Sequence, residues 1–566
     1  MVHQEVQPSG RLKITAVANF HAHIARDIVI DDGEQERREF GIEAELAGNR
    51  LAFSVSAAEF VRMDWVLTKL GPRAIIFPGQ QQHVRAAIQW LSGEIRQERI
   101  FTHLGWRKHG ACWMYLHAGG AVGADGPVAN VQVHLPGALQ SYLIPQPKDS
   151  DDGARAVRDS LRFLDVAPDR ITFPLLAGAY AAALGSAGFS LFLAGKSGVF
   201  KSALAALCQQ HFGPAMEASR LPANFSCTAN ALESLAFHAK DALMVADDFA
   251  PKGMQDRGLE SVAERLFRAA GNQQGRSRLR NSGPSATQPP RALLLATGEE
   301  VPQGQSIRAR LLVIELDQGE VDLTTLTGCQ KAAQQGRFAV AMGSFLIWVA
   351  SRYAPLRQRL RGRVEEIRGE GRGRGIHARL PSAVAELQAG FEIFLEFAGE
   401  CGAIANFRRE ELAFRSVTAL NELIARQAKY HRASDPAVHF LQLLRDALSH
   451  GQAHLADRDG RAPEQAATWG WRRSQGRSSV PHGAKVGWIV GPNIYLDPAA
   501  SYQVAQQMAG NEPLQVSEQA LRQRLRERHL LASVDAGRRM LLVRRTLEDR
   551  PHQVLHLKAP DLTPRT

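Results

Sequence analysis

The run Leu191-Phe-Leu-Ala-Gly195-Lys-Ser-Gly198-Val-Phe-Lys201-Ser202-Ala-Leu-Ala-Ala-Leu207 is an apolar strand that breaks into a glycine loop and re-forms as a helix. In such a loop, backbone N–H groups and the helix N-terminus cradle phosphate, a Lys pairs with the β/γ oxygens, and a Ser or Thr hydroxyl ligates Mg2+. Gly195, Lys196, Ser197, Gly198, Val199 and Phe200 form the candidate loop, and Lys201 and Ser202 fill the Lys and hydroxyl roles. Phe200 stands where the G-x-x-x-x-G-K-[ST] pattern has its second glycine. The pattern alone therefore also admits a buried strand, a turn and a core helix with no ligand.

Three later apolar runs favour the nucleotide reading. Ala242 to Ala246 ends in Asp247-Asp248, an acidic pair at the C-terminal end of a strand. There Asp247 would hold Mg2+ through water and Asp248 would polarise the attacking water, although such a pair also suits a helix N-cap. Arg291 to Ala296 leads into Thr297, placed to contact a γ-phosphate or the lytic water, with Glu299 close behind. Leu311 to Leu316 follows Ser306-Ile-Arg308-Ala-Arg310, from which an arginine could stabilise charge on a neighbouring subunit's nucleotide. The order and spacing predict ATP hydrolysis on a parallel sheet flanked by helices.

These residues resemble a known family. Gly195 to Ser202 resembles the GDPGxxKS-type loop of minichromosome maintenance (MCM) helicases, which also lack the second glycine. Asp247-Asp-Phe249 resembles their Asp-Glu-Phe, Pro290 to Thr297 their first sensor strand, and Arg308-Ala-Arg310-Leu-Leu their arginine-finger strand. Leu104-Gly-Trp106-Arg, Gly195-Lys-Ser-Gly and Ala296-Thr-Gly-Glu299 are similar to the bacterial "domain of unknown function 927" proteins, a group that includes MCM-like helicases of mobile genetic elements. The resemblance covers residues 100 to 370. It implies an AAA+ ATPase that uses ATP and Mg2+, a homo-oligomeric and hexameric ring, and single-stranded or forked DNA as partner. It further implies that Arg310 acts in trans, with Arg308 as second choice, and that Arg276, Arg278 and Arg280 lie on a hairpin facing DNA. A solvated basic loop is the alternative for those three. Asp248 stands where MCM proteins have Glu and Thr297 where they have Asn, so water activation would pass through an extra water or through Glu299.

A chain of 566 residues accommodates three to four domains. The reading is a multi-domain α/β protein: an N-terminal α+β domain (1–100), an AAA+ P-loop core (101–330), a helical lid and linker (331–410) and a C-terminal region with a winged helix (411–566). In the first of these, helices are expected over Ala57 to Leu70 and Gln82 to Arg96, with a short strand from Ala74 to Pro78 between them. Net charge is +11 with a pI near 9.6, which favours a polyanionic partner. Five scattered cysteines without CxxC pairs indicate neither a disulfide framework nor a zinc site, and the start Met1-Val-His-Gln-Glu-Val has no basic-then-apolar signal, so a reducing cytoplasm is expected. Ile171 to Gly195 carries no charge, but Pro174, Gly178, Gly185 and Gly188 punctuate it. It reads as a buried helix, a turn and a central strand, with no membrane association.

Arginines from Arg357 to Arg379 surround the glycine-rich joint Gly369 to Gly375 and read as a solvated linker. Near the C-terminus, Ser517 caps a helix with Leu521 and Leu525 on one side and Arg522 and Arg526 on the other, and Ser533 to Val543 reads as a hairpin carrying Arg538 and Arg539. A basic helix followed by a basic hairpin is the winged-helix pattern, and DNA contact is expected from these four arginines. Together these features predict an ATP-dependent DNA helicase or translocase, serving replication of a mobile element. An ATP-controlled DNA-binding switch without unwinding remains the alternative. A small-molecule kinase is disfavoured, because no acceptor-pocket motif is present.

Overall fold

The computed structural model describes residues 1–186, 188–251, 257–273, 278–280, 283–285, 288–302, 304–370, 380–433, 435–473, 479–510, 514, 516–538 and 540–562. At 257, 278–280, 283–285, 305, 370, 428–433 and 473 it describes the backbone alone. Two compact units emerge: the larger spans 1–251, 257–302 and 309–424, and the smaller contains the short stretch before 309 and the chain from 425.

The larger unit opens with a hairpin, β1 (Val2–Val6) and β2 (Leu12–Ala16). Strands β3 (His21–Asp31), β4 (Glu36–Leu46) and β5 (Asn49–Ser56) form an antiparallel meander, followed by α1 (Ala57–Arg62), α2 (Trp65–Leu70) and α3 (Gln81–Leu91). The helix expected over 57–70 is broken, because Met63 adopts a left-handed conformation (φ 62°). Phe60 and Trp65 are both buried, yet on one continuous helix they would point about 140° apart. The break turns both inward. The strand expected at 74–78 is only a single bridge, Ala18 to Ile76. The second helix stops at Leu91, since β6 (Arg96–Phe101) takes Arg96 into the sheet beside β3. Strands β7 (Gly105–His109), β8 (Cys112–His117), β9 (Gly120–Gly123) and β10 (Gly126–Val128) form a second antiparallel sheet, while β11 (Gln132–Val133) returns to β6. Trp106 Nε1 donates to Ala183 O and Tyr115 OH to Asp241 O, which ties the second sheet to the core behind it.

That core runs α4 (Ser150–Leu161), α5 (Asp169–Ala183), β12 (Ser190–Ala194), α6 (Lys201–Gln209), β13 (Ala223–Asn224), α7 (Ala229–His238), β14 (Leu243–Phe249) and α8 (Arg257–Asn272). A hairpin of β15 (Arg278–Arg280) and β16 (Gly283–Ser285) precedes β17 (Leu293–Gly298) and β18 (Leu311–Glu315), and α9 (Gln305–Arg308), which lies between those two strands in the sequence, belongs to the smaller unit. The sheet order is β13-β14-β17-β12-β18, and every pairing is parallel. All five residues of β12 and all six of β17 are buried, as expected of strands covered on both faces. The uncharged stretch 171–195 is the buried helix α5, a turn and β12, as expected. Among the described residues no single helix is long and apolar enough to cross a membrane.

Helices α10 (Leu323–Gln334), α11 (Arg337–Ala350), α12 (Tyr353–Glu370), α13 (Leu380–Glu400) and α14 (Asn406–Ala433) follow. Three of the arginines expected in a solvated linker instead lie on helix α12 and are paired there. Arg363 Nε bonds Glu392 at 2.9 Å, Arg359 pairs with Glu396, and Arg357 donates to Leu184 O. Residues 371–379, which include most of the joint, lie outside the described residues.

Burial holds the imidazoles of His103, His117 and His211 near a pKa of about 4, so each is neutral in the fold. Because these folded values lie below the free value near 6.5, the stability they contribute is complete above pH 6.5 and is lost as pH falls towards 4. At pH 5.5 each contributes a loss on the order of 1 kcal/mol. The melting temperature should therefore drop between pH 7 and 5.5, and replacing His211 by asparagine should reduce that drop.

The smaller unit contains α15 (Pro436–His450), β19 (Ala453–Ala456), β20 (Trp471–Arg473), β21 (Ser479–Pro481), β22 (Ala484–Val490), β23 (Asn493–Leu496), α16 (Pro498–Ala509), α17 (Glu518–Glu527), β24 (Val543–Leu547) and β25 (Arg550–Lys558). Its main sheet runs β19-β22-β23-β25-β24 over a core that includes Trp469, Trp471 and Trp488. Ser517 caps α17 by accepting from Ala520 N, and Leu521 and Leu525 are buried, as read from sequence. The hairpin lies further on than expected. Among the described residues of 533–542, Ser533 bridges to His556 and Asp535 to Met540 without forming a longer ladder, whereas β24 and β25 pair over Val543 to Val554. Their tight turn, Glu548-Asp549, takes positive φ at both residues (50° and 59°), the combination a two-residue hairpin turn requires.

Candidate functional site

The loop Gly195 to Phe200 leaves the C-terminal end of β12, the strand lying between β17 and β18. A Cβ at Gly195 would sit 2.4 Å from Leu316 O, so only glycine fits where the loop passes β18. Phe200 has φ 70°, keeping the left-handed backbone that a glycine would supply, and its side chain is 44% exposed. Helix α6 starts without a side-chain cap and without an acidic residue in its first turn. Its leading N–H groups thus lack a side-chain acceptor, the condition in which a helix N-terminus takes an anion.

Lys201 and Ser202 are the first two residues of α6. Lys201 Nζ donates to Lys196 O at 2.7 Å, folding the ammonium back over the loop. Burial lowers its pKa, opposed by the carboxylates of Glu299, Asp247 and Asp248, which gather around it. Ser202 Oγ donates to Asp247 Oδ1 at 2.9 Å. A hydroxyl and a carboxylate at this separation are the hard oxygen donors that Mg2+ takes, so this pair fits the expected metal.

The acidic pair sits in a bulge. Ala246 pairs with Ala296 and Phe249 with Gly298, so Asp247 and Asp248 together oppose the single residue Thr297. A regular strand would send consecutive side chains to opposite faces, and the extra residue re-aims one of them. Asp248 takes φ 62° to make the bulge. Thr297, 1% exposed, clamps it: its hydroxyl donates to Asp247 Oδ1 and accepts from Asp248 N at 3.1 Å. Thr297→Val should therefore cost stability, at about 1 kcal/mol per lost hydrogen bond, and lower any turnover that depends on the pair. A residue that only contacts phosphate would leave the melting temperature of the nucleotide-free protein unchanged.

The loop, Lys201, Ser202, Asp247, Asp248, Thr297 and Glu299 thus converge on one edge of the sheet. Arg310 does not join them. It immediately precedes β18, whose first residue pairs with Ser190 at the start of β12, so it lies at the opposite edge, about 17 Å of strand away. Arg308 ends α9, two residues earlier. Arg278 and Arg280 occupy alternate positions of β15, paired with Ser285 and Gly283. Arg276 and Arg539 lie outside the described residues.

In the smaller unit, Arg522 pairs with Glu518, and Arg524 with Glu527 at 3.1 Å, so much of the basic charge of α17 is answered locally. Arg526 and Arg538 are exposed. Sequence reasoning passed over Arg544, Arg545 and Arg550, which are exposed on the β24–β25 hairpin. It also passed over Asn272, whose Oδ1 accepts from Arg310 Nη2 at 2.7 Å; a Gly-Asn pair ending a helix signals a C-cap but not that contact.

No family model and no curated protein sequence matches the chain. Among solved structures, one described as the active helicase Cch of SCCmec type IV is similar at a TM-score of 0.58 and 13% identity, over 99% of this chain and 97% of that one. A structure of JCV helicase aligns at a TM-score of 0.23 and 14% identity, over 40% of this chain and 66% of that chain. The chain is thus similar in fold, along nearly its whole length, to the SCCmec helicase.

Proposed function

We propose that this protein is an ATP-dependent DNA helicase or translocase of the MCM-like AAA+ type, serving replication of a mobile genetic element. One observation carries the reading: Lys201, the Ser202–Asp247 pair and the bulged Asp248 converge beside an uncapped helix N-terminus on a parallel sheet. The fold likeness to a helicase of a mobile element supports it. The loop N–H groups and Lys201 bind the phosphates, Ser202 and Asp247 hold Mg2+, and Asp248 orients the attacking water with Glu299 nearby. Bound Mg2+ supplies charge neutralisation on the phosphate oxygens. Arg310, remote from its own subunit's loop, serves a neighbouring copy in a hexameric ring. The β15–β16 hairpin contacts single-stranded or forked DNA. The order α15, β19, α16, α17, β24, β25 supports a C-terminal winged helix into whose sheet β22 and β23 are inserted, with Arg526, Arg538 and the hairpin arginines on its DNA side.

A second reading, an ATP-controlled DNA-binding switch, is favoured by Asp248 itself, which is one methylene shorter than glutamate and held in a left-handed conformation. Strand displacement on a forked duplex separates the two. A helicase releases the strand with ATP and not with a non-hydrolysable analogue, whereas a switch binds the fork and releases nothing.

A further inference from the structure

We propose that Gly271 and Asn272, the last two residues of α8, are positioning residues that hold Arg310. This rests on the reading of Arg310 as a residue that serves a neighbouring copy's nucleotide. Asn272 Oδ1 accepts from Arg310 Nη2 at 2.7 Å and from Nε at 3.3 Å, fixing the plane of the guanidinium. The arginine stem lies across bare helix backbone: a Cβ at Gly271 would be 2.6 Å from Arg310 Cδ and 2.7 Å from Cγ. On the main chain, Arg310 O accepts from Ser190 N at 3.0 Å, so the residue is pinned to β12 as well. Arg310 also lines a groove of about 240 Å³ together with Ser382 and Glu386.

Helix α8 is a fixed support for this contact. It is anchored along its length by Arg265, which binds Glu233 of α7 through Nε and Nη2 at 2.6 and 2.7 Å, and by Phe267, packed edge-on against Phe192 of β12.

The test uses full-length Asn272→Ala, Asn272→Asp and Gly271→Ala proteins, with ATP affinity, melting temperature and single-stranded-DNA-stimulated ATP turnover as readouts. Asn272→Ala should keep ATP affinity while stimulated turnover falls by about 10- to 100-fold, the scale of a misplaced catalytic group. Asn272→Asp keeps the accepting oxygen and should restore most of that loss. Gly271→Ala is favoured in a helix, so the melting temperature should hold or rise while stimulated turnover falls, a combination that a merely structural role does not produce. Mixing Asn272→Ala subunits with Lys201→Ala subunits should recover turnover, because the first retain an intact loop and the second an intact arginine. Wild-type turnover in both alanine variants would overturn the proposal. So would a defect that mixing does not rescue when the same mixing rescues Arg310→Ala. If Arg310→Ala itself is not rescued, the trans reading falls and this inference falls with it.

Discussion

Lys201→Ala is expected to lower ATP turnover by about 100- to 1,000-fold, the effect of removing one preorganised charge at a phosphoryl-transfer site. Lys201 is the cation around which Glu299, Asp247 and Asp248 gather, so its removal leaves three carboxylates to repel an incoming polyphosphate. Its own contact in the fold is to Lys196 O on the half-exposed loop, so the melting temperature should change little. The loss should therefore appear in both ATP affinity and turnover. An unstable variant would instead place Lys201 among the groups that hold the loop together.

Arg310→Ala should reduce turnover by about 1,000-fold or more, the lower end of what an arginine finger contributes. The position of the residue dictates the form of the defect. Arg310 lies at the edge of the sheet away from its own loop, so the loss should arise in trans. Equimolar mixing of Arg310→Ala with Lys201→Ala subunits should recover a fraction of wild-type activity, measured as steady-state ATP hydrolysis, although neither protein is active alone. Recovery requires shared sites. A mixture as inactive as its parts would mean that each subunit completes its own site.

Much of the arrangement of the proposed nucleotide site was legible because its parts are local. Strand, loop and helix are contiguous in sequence, and Lys201 and Ser202 take their positions from that order alone. The Phe200 departure proved compatible with the motif, since the backbone there still adopts the left-handed conformation. What the sequence could not show depends on register between distant segments. The Asp247-Asp248 bulge exists because two residues face one across the β14–β17 pairing, so the clamping by Thr297 emerges only when both strands are in place. Asn272 and Arg310 meet across 38 residues for the same reason. The broken helix at Met63 reflects tertiary packing overriding local propensity. The displaced C-terminal hairpin reflects a turn, Glu548-Asp549, built without glycine and so without the usual sequence signal.

The measurement that bears most directly on the central claim is ATP hydrolysis by the purified protein with and without single-stranded DNA, alongside Lys201→Ala and Asp248→Ala. DNA-stimulated turnover that is lost in both variants is the expected result and establishes a DNA-dependent motor. Tight ATP binding with no DNA-stimulated turnover in the unaltered protein would contradict it.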